Sequence, residues 1–231
     1  MIAIVDYDAG NIRSVQNAFV YAGAPCLVTS SAEEILAADG VVLPGVGAFG
    51  DCYENLKRKG LDRVIRFCIE KDMPFLGICL GFQMLFDYSE ESGRDGETVQ
   101  GMGIFRGAVR QFPADMGLKV PQIGWNSLEL NKDCALFEGL PENPYVYFVH
   151  SYYVDAKDRS LVAARSCYGI GFDAAIARGK TFAVQFHPEK SGDVGLMIIK
   201  NLSGWYTAYD YLSRCGHKGR KMRALKTGQL Q

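Results

Sequence analysis

The chain has 231 residues, 48% of them apolar and 22% charged, which excludes a disordered, collagen-like or coiled-coil protein and leaves one large α/β domain or two small ones, one core being the simpler reading. Its 25 basic residues balance 26 acidic ones, so no overall field would gather nucleic acid or an anionic membrane. The charge is uneven: Arg214, Lys218, Arg220, Lys221, Arg223 and Lys226 lie in 214–231 without an acid, leaving 19 basic against 26 acidic residues upstream.

The N-terminus meets an acid, Asp6, before a signal-like apolar region can develop. Short apolar runs at 2–6, 26–29, 41–43 and 75–78 read as strands. Between them 11–21 and 31–37 read as helices, the second opened by a capping box of Ser31 and Glu34. A longer helical pattern over 51–71 is interrupted at Gly60. This alternation is the mark of parallel strands joined by crossover helices, and four such strands with covering helices define a doubly wound sheet.

The uncharged apolar stretch 73–86 has 14 residues including Pro74, Gly77 and Gly81, too short and too broken to span a bilayer; a cytoplasmic protein is expected. Beyond Phe86 a polar loop at 90–100 precedes strand-like runs at 107–112, 145–154, 161–166 and 171–177, whose close spacing predicts antiparallel hairpins added to the parallel core. A last buried strand at 182–186 and a helix at 194–211 complete the body. Seven cysteines, at 26, 52, 68, 79, 134, 167 and 215, form no Cys-x-x-Cys pair and no cluster with histidine, so neither a disulfide framework nor a zinc site is expected.

Gly77-Ile78-Cys79-Leu80-Gly81 stands where an apolar strand meets a predicted amphipathic helix, the context of a nucleophile elbow. So sharp a turn lifts the reactive side chain off the sheet and brings neighbouring backbone close enough to demand glycine on both sides. A helix N-terminus beside Cys79 would stabilise a thiolate and then an oxyanion. The base is chosen from three histidines: His187 is followed by Pro188 and Glu189, and on extended backbone His187 and Glu189 point the same way, whereas His150 suits a structural or binding-surface role and His217 lies in the basic tail. Pro44-Gly45-Val46-Gly47, read alone, is a loop; at the carboxyl end of the third strand it shares a crevice with Cys79 and can supply backbone donors.

Gly77-Ile78-Cys79-Leu80-Gly81-Phe82-Gln83, about a hundred residues before Gln185-Phe186-His187-Pro188-Glu189, resembles the class I glutamine amidotransferases, a flavodoxin-like α/β fold. Within that family Asp6-Tyr7-Asp8-Ala9-Gly10-Asn11, the segment 43–49, Gln122-Ile123-Gly124-Trp125-Asn126, the segment 147–152 and Phe186-His187-Pro188-Glu189-Lys190-Ser191 resemble the glutaminase subunits of imidazole glycerol phosphate synthases. The resemblance covers about residues 1–203, an amidotransferase domain, and leaves 204–231 as an extension with a basic tail.

The resemblance implies a Cys79, His187, Glu189 triad that hydrolyses glutamine, with Leu80 and the Val46–Gly47 turn as oxyanion hole. It implies Gly47, Gln83 and Glu91 in the glutamine pocket, with Ser151 and Tyr152 on the α-carboxylate side. No cofactor or metal is called for. The implied partner is a cyclase with a (βα)8-barrel fold, in a 1:1 heterodimer, that receives the ammonia for a step of histidine biosynthesis; Asn11, Trp125 and Tyr147 match the docking face and tunnel entrance. The catalytic motifs alone suit equally a glutaminase serving another synthase, such as a sugar-modifying one, and only the docking segments separate the two. A cysteine peptidase with the same elbow would lack the His-Pro-Glu motif, and an inactive interaction subunit would have no need of Cys79, His187 and Glu189 together.

Overall fold

The computed structural model describes residues 1–92, 97–130 and 134–214, and for residue 92 and residues 205–214 the backbone alone. The first half alternates as the sequence predicts: β1 (Ile2–Val5), α1 (Ile12–Tyr21), β2 (Cys26–Thr29), α2 (Ala32–Leu36), β3 (Gly40–Leu43), α3 (Phe49–Arg58), α4 (Leu61–Glu70) and β4 (Phe75–Ile78). A one-turn helix, α5 (Leu80–Gln83), leads into β5 (Phe86–Ser92), β6 (Thr98–Gln100), β7 (Phe105–Gln111), β8 (Gln122–Ser127) and β9 (Glu129–Leu130). Then come β10 (Tyr145–His150), β11 (Tyr152–Ala156), β12 (Val162–Tyr168), β13 (Ile170–Arg178), β14 (Thr181–Val184) and α6 (Gly192–Arg214).

The main sheet runs β2-β1-β3-β4-β14-β13-β11-β7-β5-β6. From β2 to β14 neighbouring strands pair parallel, and β13 turns the direction by pairing antiparallel to β14. Alternation along β1 builds two cores: Ile2 and Ile4 pack on one face with Phe19 of α1 and Ile198 of α6, while Ala3 and Val5 pack on the other with Leu56 of α3 and Ile65 of α4. Helices on both faces bury β1, β3, β4 and β14 completely, which is why they read as unbroken apolar runs, while edge strand β2 is only half-buried.

The 51–71 pattern breaks at Gly60 as expected, into two helices that meet at a φ of 70° no ordinary residue adopts cheaply. Several other expectations change. At α2 the Ser31 hydroxyl accepts from the Glu34 N–H, but the Glu34 carboxylate takes the Thr29 hydroxyl, and Thr29 Oγ1 in turn accepts the Ser31 N–H, so the capping box closes through a hydroxyl relay. Of the polar loop expected at 90–100, residues 90–92 and 98–100 are strand and 93–96 lie outside the described residues: β5 and β6 pair antiparallel at the sheet edge, where charged side chains are at home. The run 145–154 is two strands broken at Ser151, β10 pairing with β8 in a separate two-stranded sheet and β11 joining the main one. The helix after Cys79 is only one turn long, and the last strand ends at Val184 rather than 186. Most of the basic tail lies outside the described residues.

The elbow is set by two close approaches. A Cβ on Gly77 would come within 2.9 Å of the Gly81 carbonyl oxygen, and one on Gly81 would sit 1.9 Å from the Leu43 carbonyl oxygen of β3. Strand β3 is packed on both faces and cannot retreat, so Gly81→Ala is expected to cost about 3 kcal/mol or more, the overpacking range or beyond. Urea unfolding of the variant measures it, and a loss under about 1 kcal/mol would contradict the close-approach argument.

Candidate active site

The carboxyl ends of β1, β3, β4 and β14 open on one side of the sheet, the crevice where ligands of such folds bind. A cleft of about 530 Å³ there is lined by Asn11, Val46, Gly47, Cys79, Leu80, Gln83, Glu91, Pro121, Val149, His150, Ser151, Tyr152 and Lys190. It gathers residues from seven separated stretches of chain, and nine of these residues are site candidates named from the sequence.

Cys79 has φ 54° and ψ −107°, a conformation L-residues avoid, and its N–H is anchored to the Val184 carbonyl at 2.8 Å. The thiol is 7% exposed and accepts the Gln185 amide at 3.6 Å. His187 is almost fully buried, with Nδ1 2.8 Å from Glu189 Oε1. Glu189 Oε1 also accepts the Asn11 amide at 2.7 Å, so Asn11, expected at the partner face, is at the same time tied to the acid behind the histidine. The pairing arises differently from expectation: Pro188–Lys190 is a 3-10 turn capped by His187, and Glu189 folds back onto the ring rather than sharing a strand face with it.

Burial would pull the His187 pKa down, but the Cys79 sulfur and the Glu189 carboxylate outweigh it and push it up to about 10. His150 responds the other way: burial first, and then the neighbouring His187, lower it to about 4, while its Nδ1 donates to the Tyr152 carbonyl at 2.8 Å. His150 is therefore a neutral wall of the cleft whose Nε2 has no hydrogen-bond partner; His187 Nε2 and Glu189 Oε2 are also buried without one.

The 44–47 turn faces Cys79 with its carbonyls engaged. Leu80 N–H, expected as an oxyanion donor, donates to the Gly45 carbonyl at 3.2 Å. Tyr7 Oη donates to the Pro44 carbonyl at 2.7 Å and Cys52 Sγ to the Val46 carbonyl at 3.4 Å. Gly47 holds a φ of 116°. Leu80 is thus brought against the 44–47 turn, but its N–H is spent on the Gly45 carbonyl.

Gln83 is buried, its amide donating to the Tyr152 carbonyl and to Gln185 Oε1, both at 2.9 Å, so it braces the cleft wall. Glu91 stands on β5 rather than in a loop, and its Oε2 accepts the Phe49 N–H at 2.8 Å, capping α3. Ser151 and Tyr152 line the cleft opposite. Trp125 and Tyr147 lie outside it, facing each other across β8 and β10 with ring centroids 6.1 Å apart. Tyr147 is nonetheless wired to the site: its carbonyl accepts the His187 N–H at 3.0 Å, and its N–H donates to Ser191 Oγ, which donates to the His187 carbonyl.

Sequence reasoning missed Gln185, Tyr7 and Cys52. Gln185 was findable, since it stands two residues before His187 on extended backbone that carries both toward Cys79; Cys52 carried no signal beyond being one of seven cysteines.

The raised His187 pKa predicts an imidazolium that keeps both ring protons through neutral pH and loses one near 10. Its stabilising contribution is complete below the unfolded value of about 6.5 and is lost as pH rises through about 10. Cys79→Ala should lower the midpoint, because burial then opposes one favourable partner rather than two. Nitrogen chemical shifts of the imidazole between about pH 5 and 11 check this, and a wild-type midpoint at or below about 6.5 would overturn it.

A family profile described as glutamine amidotransferase class-I matches residues 3–202. The imidazole glycerol phosphate synthase subunit HisH of Thermosynechococcus vestitus is 52% identical over 202 residues, covering 87% of this chain and 94% of that protein. Its namesake from Desulfitobacterium hafniense strain Y51 is 44% identical over 205 residues, covering 89% and 94%. Among solved structures, a glutamine amidotransferase of Thermotoga maritima superposes with a TM-score of 0.59 at 21% identity, covering 93% of this chain and 84% of that one. A chain from the structure of PurLQS from the same organism gives 0.68 at 19%, covering 88% and 97%. These two likenesses carry the fold alone; the profile, and relatives this similar over this much of their length, make the chain a member of the class I glutamine amidotransferase family.

Proposed function

We propose that the chain is the glutaminase subunit of an imidazole glycerol phosphate synthase, hydrolysing glutamine to glutamate and ammonia and passing the ammonia to a cyclase. The observation that carries the reading is Cys79, on the wall of the cleft, with its sulfur close enough to raise the His187 pKa while Glu189 and Asn11 hold that ring from the other side, in a chain 44–52% identical to the HisH subunits of two bacteria.

Cys79 Sγ attacks the glutamine carboxamide carbon, and the carbonyl π electrons move onto oxygen. Leu80 N–H and the Val46 N–H hold that oxyanion once the 45–46 peptide turns its carbonyl away from Leu80. His187 then protonates the departing amine, which leaves as ammonia, and takes a proton from the water that opens the glutamyl thioester. The charges suit this sequence. While sulfur is a thiolate it sustains the high His187 pKa, and conversion to a neutral thioester removes that support and eases the proton off the ring. Glu189, fixed by Asn11, keeps the ring oriented. Glu91 accepts the substrate ammonium beside Gly47, Gln83 braces the wall behind it, and Ser151 and Tyr152 meet the carboxylate.

Ammonia protonated in bulk water is no longer a nucleophile, so delivery requires a sealed partner. Ile123, Trp125 and Tyr145 are each more than half exposed on the hairpin of β8 and β10, an apolar patch suited to a docked subunit of (βα)8-barrel fold in a 1:1 heterodimer. Asn11, Trp125 and Tyr147 form the contact side of this reading. Cytoplasm is the compartment it assigns, in keeping with six described cysteines that are all free thiols.

Glutamine hydrolysis is expected to be slow for the chain alone and to rise when a histidine-pathway cyclase and its nucleotide substrate are both present. Steady-state glutamate release in the three mixtures tests it; equal turnover in all three would sink the partner assignment. Cys79→Ala should lose about 10⁴-fold or more of the hydrolysis while cyclase binding, read by titration calorimetry, stays intact. Retained hydrolysis would mean the nucleophile lies elsewhere.

A further inference from the structure

Three successive carbonyls of the oxyanion turn are each held by a donor from a different part of the chain. Pro44 O takes the Tyr7 hydroxyl at 2.7 Å, Gly45 O the Leu80 N–H at 3.2 Å, and Val46 O the Cys52 thiol at 3.4 Å. The middle bond is the one that must break for a donor to face the oxyanion, because it places a carbonyl where an N–H is needed. The outer two need not break. Rotating one peptide plane, that between Gly45 and Val46, changes ψ of the first and φ of the second and leaves the Pro44 and Val46 carbonyls where they are.

We propose that Tyr7 and Cys52 are positioning residues, two fixed posts that confine the movement of the oxyanion turn to the single 45–46 peptide and so deliver its N–H in register with Leu80. The inference deepens the glutaminase reading and rests on it.

Space around the turn agrees. A Cβ at Gly45 would meet the Tyr7 hydroxyl oxygen at 2.5 Å and Leu80 Cβ at 2.9 Å, so the turn is gripped from β1 on one side and from α5 on the other. Gly47 is the position facing Cys52, whose sulfur lies 3.6 Å from where a Cβ would stand. Both posts keep their protons. Burial, with Cys52 and Cys79 beside it, holds the Tyr7 phenol well above its ordinary range. Burial, with Asp51 and Glu91 nearby, pushes the Cys52 thiol up to about 11. Each is therefore a donor at every working pH. Neither lines the cleft, so neither touches substrate.

The test compares Tyr7→Phe, Cys52→Ala and Cys52→Ser with wild type in the complex with cyclase and its nucleotide. Losing a post should lower kcat about three- to tenfold, the equilibrium weight of one neutral hydrogen bond, with KM for glutamine changed less than about twofold because ground-state binding is untouched. Cys52→Ser keeps a hydroxyl donor and should recover most of the rate lost in Cys52→Ala. Iodoacetamide labelling of Cys79, followed by peptide mass spectrometry, should proceed at the wild-type rate in all three, since alkylation needs the thiolate but no oxyanion hole. Variants with unchanged kcat overturn the proposal, as do Ala and Ser variants equally impaired, or slower labelling of Cys79, each of which would mark a packing effect. A wild-type complex without glutaminase activity would instead overturn the functional reading beneath it.

Discussion

Cys79 stands on backbone that costs free energy to hold, and the site is arranged around keeping it there. A φ of 54° with ψ of −107° survives in a non-glycine residue only where its surroundings over-determine it. Here the N–H is pinned to β14, Gly77 and Gly81 admit their neighbours at distances no Cβ allows, and Leu43 of β3 presses on the turn from the other side. The same parallel strands that fix Cys79 end in the 44–47 turn, from β3, and in Gln185 and His187, from β14. One constrained residue thus sets the register of strands contributed by distant parts of the chain.

The electrostatics follow from burial. In a dry crevice an isolated imidazolium would lose its proton, and His150 shows that outcome a short distance from His187. His187 escapes it through two neighbours that raise its pKa, the Cys79 sulfur and the Glu189 carboxylate. Glu189 is equally buried and leans on Asn11 for a second hydrogen bond. Taking away either neighbour leaves a charge stranded in low dielectric, which is costlier than the pair was ever worth. The raised pKa of His187 therefore depends on Cys79 and Glu189 together, and Asn11 holds the second of them in place.

The half of the fold that reads cleanly from sequence is the half in which local pattern and tertiary setting agree. β2 and β4 appear within the residues expected because both are short apolar runs bounded by turns. The edge hairpin of β5 and β6 was read as a loop because Glu90, Glu91 and Glu97 carry loop-like polarity; an edge strand tolerates that charge, and periodicity cannot tell the two apart. The break at Ser151 was missed because the apolar run resumes directly after His150 and Ser151 while the chain changes sheets. Within the site, Cys79 and His187 were legible from motif context, but the fold-back of Glu189 depends on a 3-10 turn, and Asn11 gained its place beside Glu189 through a contact 178 residues apart, which no local signal reports.

The resting turn and the docking face meet at His187. Tyr147 presents its ring toward Trp125 on an exposed hairpin while its backbone holds His187, and the opposite side of the cleft is closed by the Leu80 bond to Gly45. That bond, neutral on both sides, is worth only about 1 kcal/mol, whereas a correctly aimed oxyanion donor contributes about 2.7–4 kcal/mol to the transition state. The inequality decides what kind of control such a site can have. On the reading proposed above, a partner that prefers the rotated turn by about 1–3 kcal/mol, the ordinary size of a coupling free energy, is enough to populate it, and the gain in rate is bounded by the latch it offsets, roughly fivefold at about 1 kcal/mol. Control of that size demands no large rearrangement of either chain.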